Sequence, residues 1–192
     1  VLVALSQYPG LKKHNLSALR CMMIGAAPLS AELQTRVREV TGIPSIQGYG
    51  MTEASPVTNL DFADVDRGLP GSVGPATADT EQKVVDLDSG TTELPVGEEG
   101  ELLIRGPQIM KGYYNQPEET AHVLKDGWLR TGDIAVMDEQ GYFKIVDRIK
   151  DMIIINGFKV FPGDVEKVTY QLDAVEECIV AGIPGRGGND VV

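Results

Sequence analysis

The chain has 192 residues, of which 42% are hydrophobic and 23% charged, a composition typical of a globular protein with one or two domains. Its formal net charge of -11 argues against a broad nucleic-acid-binding surface, but it leaves room for a local basic site that binds a nucleotide. The sequence shows no membrane-spanning apolar run and no signal peptide, and Cys21 and Cys178 lack metal-ligand spacing. We therefore expect a cytoplasmic location and two buried thiols rather than a disulfide.

Residues 1–69 are predicted to form the end of a parallel α/β layer. The short apolar run Cys21–Ile24 predicts a buried strand. Ser30 is a candidate N-cap for a helix with apolar residues at helical spacing, and Gly42 is a plausible stop. Ile43–Gln47 then predicts the next strand, which completes a strand–helix–strand unit.

The loop after the first of these strands consists of small residues, Gly25-Ala26-Ala27-Pro28. Small side chains allow the backbone to approach a flat partner closely. The alternative interpretation is an ordinary strand-to-helix connection without a ligand.

The segment QGYGMTE, residues 47–53, follows the second strand at its carboxyl end, where open α/β sheets bind ligands. An aromatic ring offers a flat face for a base, two glycines permit close approach, a hydroxyl can bond a phosphate oxygen and a carboxylate can bind Mg²⁺. These candidates are, in the same order, Tyr49, Gly48 and Gly50, Thr52 and Glu53. The alternative is a tight turn with a structural tyrosine and a capping threonine.

Residues 70–147 are predicted to form a small distorted β-barrel. The segment PGSVG at residues 70–74 is expected to begin it, and Gly100–Arg105 is a clear strand. Pro117 is well placed for the first turn of a short helix. Trp128, the only tryptophan, is expected to pack in the core.

The stretch Asp126–Pro162 carries the strongest pattern in the chain. Thr131-Gly132-Asp133 is predicted to be a polar turn that opens a hairpin with arms Ile134–Asp138 and Tyr142–Asp147. The turn between the arms is predicted at Glu139-Gln140-Gly141, where the glycine suits the left-handed position. In an antiparallel pair the start of one strand lies beside the end of the other, so Asp133 and Arg148 are expected to meet at one edge. A carboxylate and a guanidinium there suit a ribose diol. The alternative is two hairpins joined by a solvated charged link.

The remaining residues are predicted to begin an α+β domain. Met152–Ile155 and Phe158–Val160 can pair across the Asn156-Gly157 turn, and Pro162 can open a helix. Val175–Ile183 is predicted to be a strand that has no partner in the chain.

Several motifs occur together in this order: GAAPL, YGMTE, PGSVG and GWLRTGDIAVMDEQGYFKIVDRIKDMI. From about Leu19 to Pro184 the chain resembles the adenylate-forming superfamily of acyl-CoA synthetases, luciferases and peptide-synthetase adenylation domains. It is most similar to long-chain fatty acyl-CoA ligases. The resemblance implies an α/β fold with a β-barrel portion and a C-terminal α+β lid, divided into residues 1–147 and 148–192 by a hinge at residues 147–151.

The resemblance also implies ATP or AMP, Mg²⁺ and CoA as ligands and a fatty acid as the other substrate. The implied nucleotide-binding residues are Gly25, Ala26, Ala27, Gly48, Tyr49, Gly50, Thr52, Asp133, Ile145 and Arg148. Thr52 and Glu53 are implied in catalysis, Glu53 as the metal ligand, and Lys150 as the hinge residue. Gly157, Phe158 and Lys159 are implied to reach the thioester site. A peripheral association of the longer protein with membranes is left open.

Two parts that the resembling family uses are missing from the 192 residues, the Ser/Thr/Gly-rich phosphate loop and a late catalytic lysine. Both ends of the chain look cut, so we expect a piece of a longer ligase that is itself inactive in adenylation. Three alternatives stay open: an aryl-CoA ligase, an adenylation domain that feeds a carrier protein, and a nucleotide-binding module without catalysis.

Overall fold

The computed structural model describes residues 2–25, 29–60, 69–170, 172, 174–175, 177–184 and 190–191. The described helices are α1 (Leu2–Gln7), α2 (Ala31–Thr41), α3 (Pro117–Val123) and α4 (Pro162–Thr169). The described strands are β1 (Met22–Ile24), β2 (Ser45–Gln47), β3 (Tyr49–Gly50), β4 (Val57–Asn59), β5 (Glu81–Val85), β6 (Gly100–Arg105), β7 (Leu124–Lys125), β8 (Trp128–Met137), β9 (Phe143–Arg148), β10 (Ile153–Ile155), β11 (Phe158–Val160), β12 (Ile183–Pro184) and β13 (Asp190–Val191). Short 3₁₀ turns cover Leu11–Lys13, Thr52–Ala54 and Ile149–Asp151.

The first part of the chain forms the expected strand–helix–strand unit. β1 and β2 pair in parallel, and α2 connects them. The Ser30 hydroxyl accepts a hydrogen bond from the Leu33 N–H at 3.2 Å, and Gly42 ends the helix with a φ of 72°. These contacts confirm the predicted cap and stop. Each satisfies a backbone group that the helix leaves without a partner.

A curled antiparallel sheet, the half-barrel, forms the middle of the chain, where a small distorted β-barrel is predicted. Its strands lie in the order β5-β6-β8, and both β7 and β9 pair with β8. One set of buried apolar side chains, the barrel core, packs together there. It consists of Val73, Val84, Leu102, Ile104, Ala135 and Phe143. In the described part of the chain no helix is both long and apolar enough to cross a membrane.

The Thr131-Gly132-Asp133 segment lies inside β8, so its prediction as a turn that opens the hairpin was wrong. Two register pairs flank it, Leu103 with Arg130 and Glu101 with Ile134. Between them β6 has one residue, whereas β8 has three. The segment is therefore a β-bulge, the TGD bulge, which changes the direction of a side chain without ending the strand.

The turn between β8 and β9 has the predicted form. Asp138 Oδ1 accepts hydrogen bonds from the backbone N–H groups of Gln140 and Tyr142, both at 2.9 Å. Gly141 has a φ of 80°, the left-handed position predicted for it. The carboxylate therefore fixes the turn that brings β9 back beside β8.

The second hairpin and α4 also agree with their predictions. β10 and β11 pair across Asn156 and Gly157, which have φ values of 51° and 82°. Both values lie in the left-handed region that a two-residue hairpin turn requires. α4 begins at Pro162.

The predicted strand Val175–Ile183 is wrong over its described residues, since only Ile183 lies in a strand and β12 pairs with β13. The backbone of this segment bonds to side chains instead of to a neighbouring strand. The Tyr170 hydroxyl bonds to both the N–H and the carbonyl of Cys178, at 3.2 and 3.3 Å. Glu166 Oε1 accepts from the Val180 N–H at 2.9 Å. Cys178, like Cys21, is a free, half-buried thiol.

Candidate nucleotide site

Tyr49 joins the first part of the chain to the half-barrel. It begins β3, which pairs with β4, and its ring packs against the barrel core. Its Oη donates a hydrogen bond of 2.5 Å to Asp133 Oδ2 in the TGD bulge. Two candidate residues that are 84 positions apart in the sequence therefore contact each other directly.

Asp133 and Arg148 lie opposite each other as register partners of β8 and β9, which confirms that the two residues meet. Asp133 lies within β8, however, and not at the predicted start of a strand. The Arg148 side chain is exposed, and its Nε lies 3.7 Å from Asp151 Oδ2. The guanidinium is therefore at the rim beside Asp133, where it remains accessible to a ligand.

Burial sets the acid–base state of the Tyr49–Asp133 pair. It raises the pKa of Asp133 above its ordinary value, while the Tyr49 hydrogen bond and the charges of Arg148 and Lys150 act in the opposite direction. Burial and the neighbouring Asp133 carboxylate raise the pKa of Tyr49. The phenol therefore keeps its proton and acts as the donor.

Glu53 lies in the 3₁₀ turn Thr52–Ala54 and is held by a loop of the half-barrel. Its Oε1 accepts a hydrogen bond of 2.7 Å from the Tyr113 hydroxyl, and its carbonyl accepts from the Met110 N–H at 2.7 Å. The bond to Glu53 raises the pKa of Tyr113. No pattern in the local sequence around Tyr113 predicts this contact.

A metal ion at this position would depend on Glu53 and on the ligand. Among the described residues, no group of three or more His, Cys, Asp and Glu side chains could hold a metal ion. Mg²⁺ commonly binds one or two carboxylates together with substrate phosphates and water, so a single glutamate fits it.

The glycines of the site divide into two kinds. A Cβ built on Gly50 would lie 1.8 Å from the carbonyl oxygen of Pro56, so this glycine is required by the contact between β3 and β4. A Cβ on Gly25 would meet nothing closer than the carbonyl oxygen of Gly48 at 4.0 Å, so Gly25 and Gly48 are neighbours with space beside Gly25. The Gly48 N–H donates to the Ile24 carbonyl at 2.8 Å.

The other predicted site residues lie apart from the Tyr49–Asp133 contact or outside the described residues. Ala26 and Ala27 lie outside the described residues. Ile145 lies opposite Ala135 and packs against the barrel core, and Lys150 is exposed in the 3₁₀ turn after β9. The candidate thioester residues lie at the β10–β11 turn. They are Gly157, Phe158 and Lys159.

The side chain of Lys159 returns to the half-barrel, where its Nζ lies 3.0 Å from Asp88 Oδ1. Phe158 is 74% exposed, so this hairpin presents a large apolar side chain to solvent. The hairpin therefore contacts the half-barrel through an ion pair while its aromatic residue is free of the core.

The geometry brings together two carboxylates, a guanidinium and a phenol on three segments of the chain. Asp133 can accept from a pair of neighbouring hydroxyls, and Arg148 can donate to the same group. Glu53 supplies a second carboxylate on an adjoining segment. These groups suit a ligand that carries a diol and a phosphate–metal unit.

Comparison with known proteins shows which family the chain is similar to. The profile of the family described as AMP-binding enzyme matches residues 1–114. A long-chain-fatty-acid–CoA ligase of Bacillus subtilis (strain 168) is 42% identical over 184 residues, which cover 96% of this chain and 32% of that protein. A feruloyl-CoA synthase of an Amycolatopsis species is 43% identical over 194 residues, which cover 98% of this chain and 39% of that protein.

Solved structures show the same architecture. The crystal structure of ATP-bound MatB from Rhodopseudomonas palustris matches with a TM-score of 0.91 and 34% identity, over 98% of this chain and 37% of that one. The chain spans between 32% and 39% of the length of these three proteins. Because the family profile matches more than half of it, the chain belongs to the AMP-binding enzymes, the adenylate-forming superfamily that its motifs resemble.

Proposed function

We propose that this chain is part of an ATP-dependent acid–CoA ligase. In this reaction a carboxylate attacks the α-phosphorus of ATP to give an acyl adenylate and pyrophosphate, and the CoA thiol then displaces AMP. The contact of Tyr49 with Asp133, beside Arg148, supports this proposal most directly. This contact joins an aromatic residue of the YGMTE motif to a carboxylate that can accept from a diol.

Each side chain has a proposed role. Asp133 and Arg148 hold the ribose, Tyr49 lies against the base, and Thr52 contacts the α-phosphate. Glu53 would help to hold Mg²⁺, which neutralises phosphate charge when it is bound. The remaining work of the protein is to position the carboxylate and the phosphate, since this half-reaction needs no protein nucleophile.

The segment after β9 is proposed to act as a hinge and a lid. Residues 147–151 join the large domain, residues 1–147, to the start of the small one, residues 148–192. Lys150 is exposed there in a single 3₁₀ turn, and a short solvated turn can absorb a change of backbone angles. Rotation about it would bring Gly157–Lys159 to the thioester site.

A fatty acid is the proposed acid substrate. The relative named long-chain-fatty-acid–CoA ligase supports it, whereas the similar identity to a feruloyl-CoA synthase favours an aromatic acid as the second candidate. Both belong to the same reaction class, so the choice concerns the acid alone.

The test uses the complete polypeptide that carries these residues. ATP-dependent AMP release is measured with palmitate, coumarate, acetate and a mixture of amino acids, each with CoA. The proposal predicts activity with palmitate. A preference for coumarate would select the second candidate, and activity only with amino acids, without CoA dependence, would overturn the ligase assignment.

The 192 residues alone are proposed to be inactive in adenylation, because they lack both the phosphate loop and the late catalytic lysine. Pyrophosphate release by the purified chain, with ATP and palmitate, would contradict this. AMP binding to a complete polypeptide that shows no turnover with any acid would instead indicate a nucleotide-binding module.

A further inference from the structure

The backbone of the TGD bulge is bonded to Glu101, which in turn pairs with Arg130. Glu101 belongs to the central strand β6 and is only 3% exposed, although it is a charged residue. Its Oε2 forms a close ion pair with Arg130 Nη2, and its Oε1 accepts from the Gly132 N–H at 3.3 Å. A buried carboxylate is tolerated only where such partners compensate its charge.

Arg130 connects the same carboxylate to a neighbouring turn. Its Nη1 donates to the Gly90 carbonyl at 3.3 Å. A Cβ on Gly90 would lie 2.7 Å from Arg130 Nη2, and Gly90 has a φ of 63°. The turn therefore lies against the guanidinium and gives Arg130 a second partner besides Glu101.

The hydroxyl of Thr131 also fixes the bulge. Thr131 Oγ1 donates to the Leu102 carbonyl at 2.8 Å and accepts from the Asp133 N–H at 3.0 Å. Gly132 has a φ of 72°, and nothing within 4 Å would meet a Cβ there. The carboxylate of Glu101 is thus the described side-chain partner of the N–H immediately before Asp133.

From these contacts we infer that Glu101 and Arg130 are positioning residues, which set the direction of the Asp133 carboxylate by fixing the backbone of the TGD bulge. Glu101 is buried, and both terminal nitrogens of Arg130 bond to protein oxygens, so we assign neither residue a direct contact with the ligand. Glu101 and Arg130 therefore affect ligand binding only by orienting the Asp133 carboxylate. The inference rests on the proposed role of Asp133 as the ribose acceptor.

The test measures how well the complete polypeptide distinguishes ATP from 2′-deoxy-ATP, as a ratio of kcat/KM values. A ratio does not depend on the fraction of folded enzyme, so a merely structural role would leave it unchanged. A hydroxyl bonded to a carboxylate should give the wild type a preference of about tenfold or more. Glu101→Gln keeps the size of the side chain and an acceptor for Gly132, but it removes the ion pair.

We expect Asp133→Asn to abolish most of the preference and Glu101→Gln to reduce it by about threefold or more, since small displacements at a reacting site have large effects. In the double variant Glu101→Gln should add no further loss. Arg130→Lys, which keeps the charge, should retain more of the preference than Arg130→Gln.

The outcomes separate the two proposals. An unchanged ratio in Glu101→Gln, with a lost preference in Asp133→Asn, would overturn the positioning role alone. An unchanged ratio in both variants would overturn the ribose assignment as well.

Discussion

Tyr49 Oη and Asp133 Oδ2 are 2.5 Å apart, and this one contact joins the motif after the parallel strands to the bulge of the half-barrel. The Asp133 carboxylate is half-buried, and Arg148 lies opposite it on the neighbouring strand. The candidate site is therefore assembled from three segments that the fold, and not the sequence order, places together.

Tyr49→Phe is expected to lower the free energy of unfolding by about 1–3 kcal/mol, because it removes a hydrogen bond to a half-buried carboxylate. It should also raise the pKa of Asp133 further, since the Tyr49 bond acts to lower it. Urea unfolding and a carboxyl-detected NMR titration measure both effects. Tyr114→Phe is the matched control, because that side chain is 90% exposed. Equal losses of stability in the two variants would contradict the contact.

Asp133→Asn is expected to stabilise the protein at neutral pH while it weakens nucleotide binding. Burial raises the Asp133 pKa above its ordinary value of 3.8, so the folded state holds this proton more tightly than the unfolded state. The contribution of Asp133 to stability therefore falls as pH rises from 3.8 through the raised folded pKa.

Unfolding free energies measured against pH would show this effect. The stability gain of Asp133→Asn over wild type should grow across that window and stay constant above it. Asp79→Asn controls for the loss of one charge, because Asp79 is exposed and its φ of 57° suits Asn. A gain that is absent, or that shrinks as pH rises, would show that burial does not dominate at Asp133.

Glu53→Gln is expected to lower the pKa of Tyr113 toward its ordinary value of 10.0, because the bond to the Glu53 carboxylate is the main cause of the increase. The tyrosine ring carbon signals report this titration by NMR. Glu118→Gln is the control for removing a nearby exposed charge. A Tyr113 pKa that does not respond to Glu53→Gln would mean that the phenol does not hold that carboxylate.

Gly50→Ala is expected to destabilise the protein by about 1–3 kcal/mol or more, because the new methyl group would overlap the Pro56 carbonyl. Gly163→Ala is the matched control. Its Cβ would meet nothing closer than 3.6 Å, and alanine is favoured inside α4, so stability should stay equal or rise by up to about 1 kcal/mol. Thermal unfolding compares the two, and a neutral Gly50→Ala would remove the steric reason for this glycine.

Local signals in the sequence predicted those parts of the fold that local chemistry determines. Ser30 and Gly42 mark the ends of α2, and Gly141 and Gly157 mark two hairpin turns by their positive φ values. Ser30 accepts a hydrogen bond from a backbone N–H of the helix, and the three glycines adopt a positive φ without steric strain. Each effect therefore depends on only a few adjacent positions.

Features that depend on distant partners were not predictable in the same way. The bulge at Asp133 exists because β6 has fewer residues than β8 between two register pairs, and no local pattern records that difference. The bond from Tyr113 to Glu53 spans 60 positions. A usable signal did exist for Glu101, since a charged residue within the apolar run of GELLIR predicts a buried carboxylate that needs a partner.

The most direct test of the nucleotide site is an NMR titration of the 192-residue chain with AMP, compared with the same titration of Asp133→Ala. Binding is expected to be weak, on the order of millimolar, near -4 kcal/mol. We expect shifts of the Tyr49, Gly132, Asp133 and Arg148 amide signals in the wild type and their loss in the variant. Shifts that occur elsewhere, or that persist unchanged in Asp133→Ala, would contradict it.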